Sequence, residues 1–265
     1  MWAPAPRSRV PARPSLSIVI PAYNEATRLP ATLAALQQRF GGTDTEVVVV
    51  DDGSTDDTAA VARAAGTDAL GVTVLQLPEN RGKGAAVRAG VAATAGEVVL
   101  YMDADLATDL RALDGVLQRL GDADIVVGSR AVPGARVHNT TALRTVMGRT
   151  FNGMVRLIAR LDVHDSQCGF KAYRGDVARL LFSLSEIDGF ASDPEVLVIA
   201  RILGYRTVEV PVDWTAVDGS SVRPIRDSLV TGAALLRIVA RRRPATVRAA
   251  AQARGWIPAP AGART

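Results

Sequence analysis

The stretch Val98-Val-Leu-Tyr-Met-Asp103-Ala-Asp-Leu106 sets the reading of the whole chain. Five apolar residues run into two carboxylates spaced one residue apart. A short continuous apolar run is the pattern of a strand buried on both faces, as in a parallel sheet. Side chains alternate along an extended chain, so Asp103 and Asp105 leave the strand end on the same side. Two like charges at a sheet rim repel unless a cation lies between them. Mg²⁺ or Mn²⁺ suits such a place, because it takes few protein carboxylates and shares its other positions with water and substrate phosphates. A polar turn after a strand is the competing reading, and the flanking sequence weighs against it.

Working outward, two earlier apolar runs end the same way. Leu16-Ser-Ile-Val-Ile20 stops at Pro21, and Glu46-Val-Val-Val-Val50 runs into Asp51-Asp-Gly-Ser54. Between them, apolar residues at 33, 36 and 40 predict a helix over 30–40. Asp56 or Asp57 can cap a second helix reaching Ala65. A third strand is predicted over 72–77, an alanine-rich helix over 82–94, and the fourth strand over 97–102. A helix over 109–120 and a fifth strand, Asp124-Ile-Val-Val-Gly128, follow. This alternation predicts an α/β fold, a mostly parallel sheet with helices on both faces. Ligands of such sheets bind outside the carboxyl ends of the strands, where the strand order reverses. With strand order 3-2-1-4, the loops Pro21-Ala-Tyr-Asn-Glu25, Asp51–Ser54 and Asp103-Ala-Asp105 share one crevice. Glu25, Asp52, Asp103 and Asp105, with Tyr23, suit a nucleotide and a metal. Asn80-Arg-Gly-Lys-Gly84 adds glycines, a cation and a helix N-terminus, an anion site in principle. It lacks the Walker A spacing, and a flexible turn into the helix is the alternative.

The chain has 265 residues, 48% of them hydrophobic, enough for one sizeable core. The division read from composition is a disordered basic arm over 1–14, one α/β domain over 15–225, a basic helix over 226–243, and an Ala/Pro/Arg-rich tail over 244–265 with a helical first half. Cys168 stands alone, so no internal disulfide forms, which fits a reducing cytosol. No run approaches the roughly 20 apolar residues of a membrane-spanning helix. The N-terminus has no apolar segment of the secretory type. Of 31 basic residues only Lys83 and Lys171 are lysines, which draws attention to both. Net charge is +4, but no aromatic–basic platform accompanies it, so nucleic acid is not an expected partner. Arg144–Leu161 winds Met147, Phe151, Met154, Val155, Ile158 and Leu161 onto one side, opposite Arg149, Arg156 and Arg160. That pattern fits a helix lying in a membrane interface or one packed on its own core. Ser228–Arg243, ending in three arginines, is a second lipid-facing candidate.

Taken together, Ile20-Pro-Ala-Tyr-Asn-Glu25, Val50-Asp-Asp-Gly-Ser-Thr-Asp56, Asn80-Arg-Gly-Lys-Gly-Ala85 and Met102-Asp-Ala-Asp-Leu106 resemble the successive motifs of family 2 glycosyltransferases of the GT-A fold. Gly128-Ser-Arg130, Asp165-Ser-Gln-Cys-Gly-Phe-Lys171, Asp193-Pro-Glu195, Leu203-Gly-Tyr-Arg206 and Val210-Pro-Val-Asp-Trp214 resemble the polyprenyl-phosphate branch, closest to dolichyl-phosphate β-glucosyltransferases. The likeness spans about residues 16–240. It implies inverting transfer of a sugar from a nucleotide-sugar donor to a polyprenyl phosphate, at the cytoplasmic face of a membrane. By position it implies that Pro21, Ala22, Tyr23, Glu25 and Asp52 hold base and ribose. Lys83 would lie near the nucleotide, and Asp103, Ala104 and Asp105 would place metal and diphosphate. Ala107 stands where mannose-transferring relatives often carry a glutamine as a further metal contact, which weakens a mannose reading and leaves the metal shell to water or another side chain. Arg130, Arg144 and Lys171 are the expected acceptor-phosphate cations, with Arg136 a further basic candidate. Asp193 and Glu195 would position the sugar or complete the metal shell; capping by Asp193 ahead of Pro194 is the alternative. A soluble enzyme acting on a hydroxyl acceptor is the second reading, and it would need Asp193 or Glu195 as a base. A non-catalytic nucleotide-sugar-binding protein is the third.

Overall fold

The computed structural model describes residues 15–66, 70–217, 234, 237, 238, 240 and 242–256. The basic arm over 1–14, most of the segment over 226–243 and the end of the tail lie outside the described residues. The first half of the chain runs β1 (Leu16–Ala22), α1 (Leu29–Phe40), β2 (Thr45–Asp51), α2 (Thr58–Ala64), β3 (Gly71–Gln76), α3 (Lys83–Ala93), β4 (Val98–Met102), α4 (Ala112–Arg119) and β5 (Ile125–Ser129). The second half adds β6 (Arg136–His138), α5 (Ala142–Ala159), β7 (Phe170–Arg174), α6 (Gly175–Leu184), α7 (Ser192–Leu203), β8 (Thr207–Pro211), β9 (Asp213–Thr215) and α8 (Pro244–Ala253).

Seven strands form one sheet in the order β3-β2-β1-β4-β7-β5-β8. The expected 3-2-1-4 order is present, with its reversal between β1 and β4. All neighbours are parallel except around β7, which runs antiparallel to both β4 and β5. The alternating pattern of the first half did not announce this insertion. β7 lies inside Gly169-Phe-Lys-Ala-Tyr, a run with a lysine at its centre, which reads as a loop motif rather than a buried strand.

The valines explain the sheet's position. Val47 to Val50 are all essentially inaccessible, as are Ile18, Val19 and Ile20. Side chains on one face pack with α3, α6, α7 and α8; those on the other pack with α1 and α4. Each such aliphatic side chain contributes about 1.5–3 kcal/mol by leaving water. Gly90 brings α3 hard against the sheet: a Cβ there would overlap Val19 and come within 2.9 Å of Val50 Cγ2. α4 starts at Ala112, later than the predicted start at 109. Residues just before it are taken by a small sheet element, with Thr108 bridged to Trp214 and the Asp109 amide donating to the Asp213 carbonyl at 3.0 Å.

α5 answers the question left open by its pattern. Val155, Ala159 and Leu161 are buried in the core, and Phe151 and Ile158 pack against it. The apolar side chains left exposed are Val146 at 59%, Leu157 at 80% and, from the predicted stripe itself, Met154 at 38%. The side chains of 142–144 and 147, Arg144 included, lie outside the described residues.

Candidate active site

Three strand-end loops meet at the β1/β4 reversal. Parallel registers bring Ala22 opposite Asp51, so the loops after β1 and β2 leave the sheet together. Asn24 ties them: its amide donates to Ser54 Oγ at 2.9 Å, and its side-chain oxygen accepts from the Thr55 amide at 2.9 Å. Glu25 is held by Arg28 through two bonds of 2.7 Å. Burial raises the Glu25 pKa against that pairing, and Asp105 and Asp103 raise it further. Glu25 therefore stands in the field of the acidic pair. Tyr23 is exposed at the rim, while Pro21 is half-buried and Ala22 and Ala104 are buried. Thr32 Oγ1 donates to the Ala104 carbonyl at 2.6 Å and fixes that turn.

Asp52 departs from its expected direct contact with base or ribose. It is buried, and its two oxygens accept from the amides of Arg81 and Gly82 at 2.9 and 2.7 Å. Burial raises its pKa and those bonds oppose the rise. Asp52 thus clamps the loop opening α3 to the end of β2. Gly82 serves this at φ 110°, a conformation glycine adopts without a Cβ penalty.

That loop aims Lys83 at the acidic pair. Lys83 Nζ donates to Asp103 Oδ1 at 2.6 Å and lies 5.5 Å from the centre of the Tyr101 ring. Burial alone would lower the lysine pKa, but the Asp103 charge holds it above its ordinary value. Asp105 Oδ1 accepts from the Ala107 amide at 3.0 Å; burial and the Asp103 charge raise its pKa. The start of β7 closes the site from the other side. The Asp103 amide donates to the Gly169 carbonyl at 3.1 Å, and a Cβ on Gly169 would overlap the Asp103 carboxylate.

Two carboxylates on one strand end, with a lysine beside them, are a donor set that fits Mg²⁺ or Mn²⁺ bound jointly with a phosphate group. Among the described residues no cluster of three or more His, Cys, Asp or Glu exists to hold a metal without such help.

Lys171 is corrected from an acceptor-phosphate cation to an interior strut. It pairs with Tyr101 in the β4/β7 register and is wholly buried. Its Nζ lies 2.6 Å from Asp193 Oδ1, 2.6 Å from the Cys168 carbonyl and 2.8 Å from Tyr101 Oη. An ammonium has three protons, so these partners use its capacity. The Tyr101 hydroxyl also donates to Asp193, and burial, with the Asp193 charge, pushes its pKa well up. Asp193 is accordingly a buried counter-ion within α7, held by Lys171 and Tyr101 rather than presented to a sugar. The two lysines of the chain both lie beside one tyrosine ring, their ammonium nitrogens 5.5 and 5.1 Å from the Tyr101 ring centre.

Glu195 is corrected as well. It is 1% exposed, and its carboxylate accepts from the amides of Glu186 and Ile187 and from Arg242. It is closed to a metal or a sugar in this arrangement. Arg242 is likewise turned inward, away from the lipid-facing part read for 228–243.

Arg130, at the end of β5, is gripped by Asp165. Its Nε and Nη2 donate to the two carboxylate oxygens at 2.7 and 2.9 Å. The guanidinium carbon lies 5.2 Å from the centre of the Trp214 ring. Burial would raise the Asp165 pKa, but this fork holds it below the usual carboxylate range. The Nη1 edge is not used by Asp165, and the side chain keeps 28% exposure. Arg136 is exposed, 4.0 Å from Asp213. Sequence reasoning missed Arg28, Tyr101, Asp165 and Asp188 as parts of the site's scaffold. Only Asp165 carried a visible signal, as the head of the Asp165–Lys171 motif.

Comparison with known proteins follows the same line. The profile of Glycosyl transferase family 2 matches residues 17–182. A dolichyl-phosphate beta-glucosyltransferase of Drosophila melanogaster is 39% identical over 240 residues, 84% of this chain and 74% of that protein. The Homo sapiens protein of the same name is 35% identical over 242 residues, again 84% and 74%. Glycosyltransferase AglD of Haloferax volcanii is 34% identical over 88% of this chain but 38% of its own length. Among solved structures, glucosyl-3-phosphoglycerate synthase from Mycobacterium tuberculosis, in complex with Mn²⁺, UDP-glucose and phosphoglyceric acid, superposes with TM-score 0.64 at 20% identity, over 87% of this chain and 79% of that one. Mannosyl-3-phosphoglycerate synthase from Rubrobacter xylanophilus gives 0.61 at 19% identity, over 95% and 78%. The structural likenesses speak for the fold; the profile and the relatives, each spanning most of the same strands and loops, place the chain in glycosyl transferase family 2.

Proposed function

We propose that the protein transfers glucose from UDP-glucose, with inversion, to a polyprenyl phosphate at the cytoplasmic face of a membrane. The observation that carries the proposal is the meeting of Glu25, the Asp52-clamped Lys83 loop and the Asp103/Asp105 pair at one sheet reversal. The names of the relatives supply the sugar and the acceptor class. In this reading Pro21, Ala22, Tyr23 and Glu25 border the nucleoside, Asp52 acts through the 81–82 amides that it holds, and Lys83 faces the diphosphate. Asp103 and Asp105, with the turn at Ala104, would hold Mg²⁺ or Mn²⁺, which supplies charge neutralisation for the departing diphosphate.

The acceptor chemistry explains why no base is needed. An acceptor phosphate oxygen forms a bond to the anomeric carbon as the bond from that carbon to the diphosphate breaks, and UDP leaves. The phosphate is already anionic near neutral pH, so the protein must position it and screen it. A hydroxyl acceptor would need a base, and both candidates, Asp193 and Glu195, are buried in ion pairs. The deciding assay crosses UDP-glucose, GDP-mannose and UDP-N-acetylglucosamine with polyprenyl phosphate and with soluble hydroxyl acceptors. UDP-glucose with polyprenyl phosphate is expected to be fastest. Equal rates with a soluble hydroxyl acceptor would overturn the proposal.

Arg130 is the acceptor-side cation best placed to grip a phosphate. Arg130→Lys keeps the charge but loses the fork. Lipid-acceptor kcat/KM is expected to fall about a hundredfold, the size of one strong charge-assisted bond. UDP-glucose affinity by calorimetry should change little. Equal loss of both would assign Arg130 a scaffolding role alone.

Among the described residues no helix is long and apolar enough to cross a membrane. Contact with lipid is therefore assigned to the exposed Val146, Met154 and Leu157 line of α5, flanked by Arg149 and Arg160. Val146→Ser with Leu157→Ser is expected to weaken binding to anionic vesicles at least about tenfold, since each buried aliphatic side chain contributes roughly 1.5–3 kcal/mol. Unchanged cosedimentation would remove α5 from the lipid surface.

A further inference from the structure

Glu195 and Arg242 lie outside the crevice, yet the contacts around them lead into it. Arg242 donates from Nε and Nη2 to Glu195 Oε1 at 3.1 and 2.5 Å, and Nη2 lies 3.3 Å from Glu186 Oε2. The other oxygen of Glu195 accepts from the amides of Glu186 and Ile187 at 3.0 and 2.9 Å. Those residues open the loop between α6 and α7. One residue on, the Asp188 carbonyl accepts from the Ala85 amide at 3.1 Å, and its carboxylate pairs with Arg81 at 3.0 Å and with Arg88. A Cβ on Gly82 would lie 2.6 Å from the Asp188 carbonyl, and one on Gly84 would overlap the Ile187 carbonyl. The two loops are thus pressed together backbone to backbone. The amides of Arg81 and Gly82 are the ones that meet Asp52, and Lys83 meets Asp103.

We infer that Arg242 and Glu195 are a positioning pair for the donor loop. They set the 186–188 loop, which seats residues 81–85, which in turn aim Lys83 and fasten Asp52. The inference rests on the reading of that loop as part of the donor site. A carboxylate buried to 1% exposure among two amides and one guanidinium has no freedom to relax when the guanidinium is removed. The strain passes to the 186 and 187 amides, the first contacts in the relay. Glu195 is buried and Arg242 is turned inward against it, so the effect is expected in donor affinity and loop order rather than in the chemistry itself.

The test compares the full chain with Arg242→Ala, Arg242→Lys and Asp188→Asn, the last of which cuts the relay at its exposed end should Arg242→Ala fail to fold. Hydrogen exchange over residues 80–88 is read beside UDP–Mn²⁺ affinity by calorimetry and KM for each substrate. Arg242→Ala and Asp188→Asn are expected to speed exchange at the Arg81 and Gly82 amides. Donor KM and UDP dissociation constant should rise about tenfold or more, the scale of a small misplacement of binding groups, with acceptor KM within about twofold. Arg242→Lys should restore most of the donor affinity. Unchanged exchange over 80–88 in folded variants, or equal weakening of donor and acceptor, would overturn the pairing. If the wild-type chain binds no UDP, the donor-site reading falls, and exchange at Arg81 and Gly82 still decides whether the relay exists.

Discussion

Replacing Asp105 by Asn is expected to lower sugar transfer about a thousandfold while leaving the melting temperature unchanged or slightly raised. The two effects separate because the carboxylate does two things. Its Oδ1 accepts from the Ala107 amide, and an asparagine oxygen can keep that bond. Its charge, by contrast, is disfavoured first by burial and then by the Asp103 charge, which raise its pKa; Glu25, raised mainly by burial, is pushed further by the Asp105 charge. The fold therefore gains nothing from the charge, and neutralising it relieves repulsion. Catalysis loses one of the two anions that would fix a divalent cation against the leaving diphosphate. Loss of about 4 kcal/mol of such stabilisation corresponds to three powers of ten. Transfer rate with Mg²⁺ or Mn²⁺ titrated in, beside a thermal melt, is the check. A variant with wild-type turnover in the presence of EDTA would remove the metal from the mechanism.

The second large effect belongs to the interior. Lys171→Met is expected to cost about 3–5 kcal/mol of stability, because it strands the Asp193 carboxylate, buried and without its cation. Met keeps much of the lysine's volume, so the loss is electrostatic rather than a cavity. The companion Lys171→Met with Asp193→Asn should recover most of it. Asn removes the stranded charge and can still accept from Tyr101 Oη. Urea unfolding of the wild type, both singles and the double gives the coupling directly. If the single variant is as stable as wild type, Lys171 is not the strut its three short contacts describe.

These two sites show which kind of information the sequence carries. Asp103 and Asp105 were legible because a strand's apolar run has an end, and the end is local. The crevice was legible because parallel strands all end on one side, so the loops after β1, β2 and β4 had to converge once their order was right. Lys171, Asp193 and Glu195 were misread as site cations and anions for the opposite reason. A buried charge and a solvated one look alike in a string, and their partners lie far along the chain: Asp193 is 22 residues from Lys171, and Arg242 is 47 from Glu195. The rarity of lysine marked both positions without saying which would face the crevice. α5 was ambiguous because apolar residues occur on more than one of its sides, so periodicity found the stripe that meets the core and passed over Leu157. β7 was missed because its neighbours in the sheet come from opposite directions in sequence, and its central lysine imitates a loop.

The place of β7 also dictates an order of assembly. Among the described residues β5 is bonded only to β7 and β8, both made later, so it has no berth until β7 pairs with β4. On the ribosome, β1 to β4 can close as a sheet while β5 emerges with no strand to join. Throughout that interval the outer side of β4 is an open row of amides and carbonyls, the template for wrong partners. A nascent chain stalled before residue 170 should therefore be the form most avid for chaperones, and one released beyond residue 211 should lose that appetite.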